Sequence, residues 1–161
     1  MARSKSSLTF LLFLSSLLAI TIAQNSVQDI IKAHNEVRAE VDLPPLRWSK
    51  KLARYARAYA KQRVNDCRTV HSGGVFGENL FWGNPGGLFL IDAIYRWAEE
   101  KQFYDYNTNK CVAGEKCGHY TQLVWARTQR VGCAKETCHN GDDFMICNYS
   151  PAGNIKGQKP Y

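Results

Sequence analysis

The chain has 161 residues, six cysteines and a formal charge of +7, which fits one domain long enough to bury a core. The positive excess does not point to nucleic acid, because no stacking aromatics are interleaved with the basic residues. No internal repeat, low-complexity block or interdomain linker divides the chain.

Arg3 and Lys5 give a basic start, and Leu8 to Ile22 form an apolar run broken by Thr9, Ser15, Ser16 and Thr21. The small residues Thr21 and Ala23 precede Gln24. This is the layout of a secretory signal peptide over residues 1–23, and an uncleaved anchor would need a longer run. Removing 23 residues from 161 leaves 138, and losing Arg3 and Lys5 takes the charge from +7 to +5. No second apolar segment approaches spanning length, so a soluble monomer without a transmembrane anchor is expected.

Ser26 and Asp29 form a capping-box-like start, after which Val27, Ile30, Ile31, His34 and Val37 share a helical stripe. Pro44 and Pro45 are expected to end that helix, and Trp48 follows as a core anchor. A second helix is predicted from Ser49 to Val64, with Leu52, Tyr55, Ala56 and Tyr59 inward. Its cations, among them Lys50, Lys51, Arg54, Arg57, Lys61 and Arg63, read as a solvated face, with attraction to acidic cell walls or anionic membranes left open. A short strand is predicted at Thr69 to Ser72. A third helix follows from Leu88 to Lys101, with Ile91, Ile94, Trp97 and Ala98 at helical spacing, and His119 to Val124 form a short fourth. The period then changes: Gln129 to Lys135 and Phe144 to Tyr149 read as strands joined by a turn holding Asn140-Gly141. Helices alternating with a strand-rich end imply an α+β sandwich, a small sheet between helical layers.

The cysteines Cys67, Cys111, Cys117, Cys133, Cys138 and Cys147 all lie behind the leader. An even count in a secreted chain reads as three disulfides, with 15 pairings open. Zinc ligation by these cysteines is disfavoured by the absence of any C-x-x-C pair.

Three segments then carry the chemistry: Gly77-Glu78-Asn79-Leu80, Gly118-His119-Tyr120-Thr121-Gln122-Leu123-Val124-Trp125, and Cys147-Asn148-Tyr149-Ser150-Pro151-Ala152-Gly153-Asn154. Together with His34-Asn35 and His71-Ser72-Gly73-Gly74 they resemble the signature segments of the CAP superfamily of cysteine-rich secretory, antigen 5 and pathogenesis-related proteins. The chain is most similar to the plant pathogenesis-related group 1. That resemblance covers residues 24–161 as a single CAP domain. It implies a three-layer α-β-α sandwich and the bridges Cys67–Cys138, Cys111–Cys117 and Cys133–Cys147. It also implies a cleft tetrad of His71, Glu78, Glu100 and His119, in which Glu100 competes with neighbouring Glu99. The sequence departs from the usual plant pattern at Ala126-Arg127-Thr128.

Two imidazoles and two carboxylates admit three readings. They can hold zinc with water completing the shell, act as base and acid in a metal-assisted hydrolase, or form a hydrogen-bonded cluster that holds the cleft in shape. No cofactor is required by the last. Phe103, Tyr104 and Tyr106, near the Cys111–Cys117 loop, can line a slot for a sterol or cover a helix end; the resemblance implies sterol binding there. Trp97 reads as core, His34 as a satisfied core histidine and His139 as a solvated turn residue. Asn148 is a formal glycosylation sequon, expected to stay unmodified.

The expected function is that of a secreted, non-enzymatic plant defence protein against fungal or oomycete pathogens, binding a membrane lipid of the sterol class. No retention signal closes the chain and Pro160-Tyr161 ends it, so the extracellular space is expected rather than the vacuole. Residues 151–161 are expected to form an exposed tail. The resemblance implies that cleavage between Ser150 and Pro151 can free it as a signalling peptide.

Overall fold

The computed structural model describes residues 26–84 and 89–161. The expected signal peptide, and Leu88 at the start of the expected third helix, lie outside them. Helix α1 spans Val27–Ala39, and the Ser26 hydroxyl caps it by accepting the Asp29 N–H at 3.1 Å. Ile30, Ala33, His34 and Val37 are buried, whereas Val27 is exposed. Pro44 and Pro45 do not end this helix. Glu40 caps it and the Leu43 N–H turns back to the Arg38 carbonyl, so the prolines stiffen a linker already outside it.

Strand β1 (Arg47–Trp48) leads into helix α2 (Lys50–Arg63), capped by the Ser49 hydroxyl. Leu52, Ala56 and Ala60 face inward, with Tyr55 and Tyr59 half-buried on the flank. Strand β2 is Gly77–Gly83. Helix α3 is Leu90–Glu99 and tightens into a 3-10 turn, Glu100–Phe103. A small ribbon of β3 (Tyr104–Asp105) and β4 (Lys110–Cys111) precedes the short helix α4 (Gly118–Leu123). Strands β5 (Arg130–Thr137) and β6 (Asp143–Ser150) complete the fold.

The main sheet has the order β1-β5-β6-β2, parallel only between β1 and β5. Strand β6 is central, and its side chains alternate between two cores, as a pleated strand requires. Met145, Cys147 and Tyr149 join Ile30, Val37, Ile94, Trp97 and Leu123 from α1, α3 and α4. Phe144 and Ile146 join Ala56 and Ala60 of α2 on the other face. This is the expected three-layer α+β sandwich. Gly132 of β5 lets α2 sit directly on the sheet: a Cβ there would strike the Ala53 nitrogen and lie 2.7 Å from the Ser49 carbonyl oxygen.

Two strand expectations change. Thr69 to Ser72 form no ladder, because the Ser72 N–H goes to the Glu78 carboxylate instead. Residues 77–83, read only as a motif, form a full strand in register with β6 from Gly77↔Tyr149 to Gly83↔Asp143. The hairpin turn holds positive φ only at Gly141, with Cys138 N–H bonding the Asp142 carbonyl at 2.7 Å.

The disulfides are Cys67–Cys138, Cys111–Cys117 and Cys133–Cys147, leaving no free cysteine among the described residues. On loop entropy the long Cys67–Cys138 bridge contributes about 4 kcal/mol and the short Cys111–Cys117 bridge about 2 kcal/mol. Among the described residues no helix is long and apolar enough to cross a membrane.

Candidate functional site

The four polar residues form two His–Glu pairs. Glu78 lies on β2 with its carboxylate almost wholly buried, and His71 is on the preceding loop. His71 Nδ1 donates to Glu78 Oε1 at 2.8 Å, while Ser72 supplies its N–H (2.9 Å) to the same oxygen and its hydroxyl (2.6 Å) to Oε2. Asn148 Nδ2 adds a fourth bond at 3.2 Å. Glu78 therefore ties the His71 loop to the central strand.

Glu100 sits at the first residue of the 3-10 turn. Its Oε1 accepts His119 Nδ1–H at 2.6 Å, and its Oε2 accepts the backbone N–H groups of His119 (2.9 Å) and Tyr120 (3.4 Å). Those are the orphan donors that open α4, so Glu100 caps a helix from another element. Burial pushes the Glu100 carboxyl up. The His119 ring, its charge and the two backbone donors outweigh that and hold it below the usual glutamate range. Glu99 points elsewhere and pairs with Arg96 at 3.2 Å.

The pairs adjoin through Asn79, next to Glu78, whose Nδ2 donates to the His119 carbonyl at 3.0 Å. Trp97 is buried as core, bonds the Leu80 carbonyl through Nε1, and stacks on His119 with centroids 6.0 Å apart. The Nε2 atoms of His71 and His119 have no hydrogen-bond partner among the described residues. An imidazole oriented through Nδ1–H by a carboxylate is a chemically suitable zinc ligand. However, His34, Cys133 and Cys147 are the only group of three or more candidate ligand residues whose atoms lie within 4.8 Å of one another among the described residues. That group is no metal site, because its cysteines share a disulfide.

The aromatic loop is already engaged. Phe103 and Tyr104 are half-buried and Tyr106 is 40% exposed. Tyr104 packs tilted on Tyr120 and edge-on to Tyr106. Tyr106 stacks on Tyr161 with centroids 4.9 Å apart, donates its hydroxyl to the Tyr161 carbonyl at 2.7 Å, and lies 4.1 Å beneath Lys159 Nζ.

The sequence profile of the Cysteine-rich secretory protein family, CAP, matches residues 31–149. The chain belongs to this family. It is 51% identical over 141 residues to "Pathogenesis-related protein PRMS" of Zea mays, covering 86% of this chain and 84% of that one. It is 44% identical over 154 residues to "Pathogenesis-related protein 1" of Arabidopsis thaliana, covering 96% and 94%. Among solved structures, a venom allergen-like protein of Schistosoma mansoni superposes with TM-score 0.64 at 30% identity, covering 83% of this chain and 92% of that one. Another, solved with Zn2+, gives 0.63 at 25% identity, covering 83% of each.

In this CAP protein the C-terminal segment is exposed from residue 154 to 159 and docked at both ends. Pro151 carbonyl accepts the Thr128 hydroxyl at 2.9 Å, the Gly153 N–H donates to Gln122, and Asn154 bonds Thr121 and Gly118. At the far end Pro160 is buried, with its carbonyl taking the Ala126 N–H, and the Tyr161 hydroxyl meets Tyr120. Asn148 of the formal sequon is fully buried. His139 is exposed in the turn.

The residue that sequence reading missed is Arg38. Its fully buried guanidinium donates to the carbonyls of Pro44, Leu123, Trp125 and Thr128 at 2.8, 2.9, 2.9 and 3.3 Å. It thereby shapes the Ala126-Arg127-Thr128 stretch, where the sequence leaves the plant pattern. Desolvation lowers its pKa to about 10. An arginine at a helix end next to a buried valine carries no periodic signal that separates it from a surface cation.

Proposed function

We propose that this CAP protein is a secreted plant defence protein, acting on fungal or oomycete pathogens by binding membrane sterol at Phe103, Tyr104 and Tyr106, without turnover. The plant relatives support the defence role, and three disulfides support an oxidising compartment. The observation that carries the ligand is the ring cluster of Tyr104, Tyr106 and Tyr120. Such rings offer apolar faces bordered by hydroxyls, the complement of a rigid hydrocarbon with one polar end. Titration of the purified protein with a labelled sterol tests this. Saturable binding at micromolar concentration is expected, and its absence overturns the reading.

Because Tyr161 and Lys159 lie on Tyr106, ligand and tail compete for one surface. Release of residues 151–161 as a signalling peptide therefore also opens the loop. For the His71/Glu78 and Glu100/His119 pairs, the seven bonds made by the two carboxylates favour a scaffold role. The runner-up, a metal-assisted hydrolase, rests on the two partnerless Nε2 atoms. They are the atoms that would hold zinc, which when bound supplies Lewis acidity. Stoichiometric zinc with chelator-sensitive turnover would favour the hydrolase. Entry into the secretory path is read from the leader, extracellular residence is the expected end point, and a fluorescent fusion found mainly in the vacuole contradicts it.

A further inference from the structure

Four of the six α2 cations singled out in the sequence are not scattered. Lys50, Arg54, Arg57 and Lys61 follow one another at i, i+4, i+7 and i+11, a single face of the helix, and all four line one groove of about 670 Å³. The rest of its lining is apolar: Val27, Trp48, Ala53, Ala58 and Cys133. A second hollow of about 420 Å³ shares Val27, Trp48, Arg57 and Cys133 and extends it along the sheet edge toward Thr137.

This row does not serve the helix. Lys50 lies in the first turn of α2, which has no acidic residue and where the helix dipole disfavours positive charge. Lys50/Arg54 and Arg57/Lys61 are like-charge pairs at i, i+4, which also weaken a helix. Of these four cations only Arg57 has a carboxylate within 4 Å among the described residues, Glu136 at 3.9 Å. Arg63, by contrast, lies outside the groove and is paired with Asp66 at 2.6 Å.

We propose that this groove binds a linear acidic oligosaccharide, a chain of uronate sugars, with the four cations on its carboxylates and Trp48 with the alanines against the sugars' apolar faces. A row of charges about 16 Å long, from the helical rise, suits a chain with one charge per unit better than a single-headed amphiphile. Trp48 and the alanines flank that row, so a chain held by its carboxylates lays its sugars against them. One half-buried tryptophan in the groove offers no ladder of rings for successive nucleic-acid bases.

The probe is a linear oligogalacturonate titrated into the full protein, against its methyl-esterified form and anionic phospholipid vesicles. Saturable binding that weakens with salt is expected for the acidic oligomer and absent for the ester. Arg54→Glu with Lys61→Glu should weaken it at least about tenfold, Trp48→Ala at least about threefold, and the remote Lys116→Glu should change it little. Equal binding of the ester, equal loss in Lys116→Glu, or vesicle binding without oligomer binding each overturns the proposal. All the charge substitutions are at exposed positions, and retained thermal unfolding separates a lost contact from a lost fold.

Discussion

Glu100 holds His119 through two of that residue's own atoms, Nδ1 at 2.6 Å and the backbone N–H at 2.9 Å. One carboxylate thus fixes the imidazole and starts the helix that carries it. Glu100→Ala leaves three donors without their acceptor and should cost about 2 kcal/mol in denaturant unfolding. The sign with pH follows from the lowered carboxyl: the stabilisation is present above the ordinary value of 4.5 and is lost as pH falls through the folded value. The gap between Glu100→Gln and the native protein should therefore close below about pH 4. A gap that widens there contradicts the assignment.

His34 is a separate acid switch. Its Nδ1–H donates to the Ile30 carbonyl at 2.7 Å, so Nε2 accepts the Tyr149 hydroxyl at 3.0 Å. Burial pulls its pKa from 6.5 to about 4. The unfolded chain therefore takes up this proton first, and stability falls as pH drops from 6.5 toward 4, by about 3 kcal/mol at the lower end. His34→Gln should flatten that part of the urea-midpoint profile. An unchanged slope would mean that the histidine is protonated in the folded state.

Arg38→Ala should cost about 3 kcal/mol, because four buried carbonyls lose their donor. Arg38→Lys should recover little, since one ammonium cannot span four acceptors arranged for a planar fork. Full recovery by lysine, measured by chemical denaturation, would show that charge rather than geometry is what the site needs.

The legibility of this fold tracks periodicity. Helices α1, α2 and α3 announce themselves by apolar spacing, and β5 and β6 by their turn. Strand β2 does not, because glycines bound it and its burial does not alternate, with Asn79 and Leu80 both buried and Trp82 exposed. The tetrad is legible only through motif resemblance, and the structure adds how it is wired: two pairs, each carboxylate bonded through both its oxygens. Arg38 and the docking of Tyr161 on Tyr106 stayed hidden. Both join chain segments more than 50 residues apart, and no local pattern encodes such partners.

Docking of the tail should guard the Ser150–Pro151 bond, whose cleavage is the proposed release step. Gln129 N–H holds the Ser150 carbonyl at 3.1 Å, and Thr128 holds that of Pro151. Limited proteolysis of the native protein should leave this bond slow. Thr128→Ala combined with removal of Tyr161 should speed release of a peptide beginning at Pro151, read by mass spectrometry. An unchanged rate would mean that docking does not guard the bond.

The most direct test of a sterol-binding, non-enzymatic defence protein is one titration series with labelled sterol on the native chain, Tyr106→Ala and His119→Ala, paired with growth inhibition of a susceptible oomycete. Saturable micromolar binding and inhibition should both fall in Tyr106→Ala and both persist in His119→Ala. Loss of inhibition in His119→Ala with sterol binding intact would contradict the account and move the activity to the His–Glu pairs.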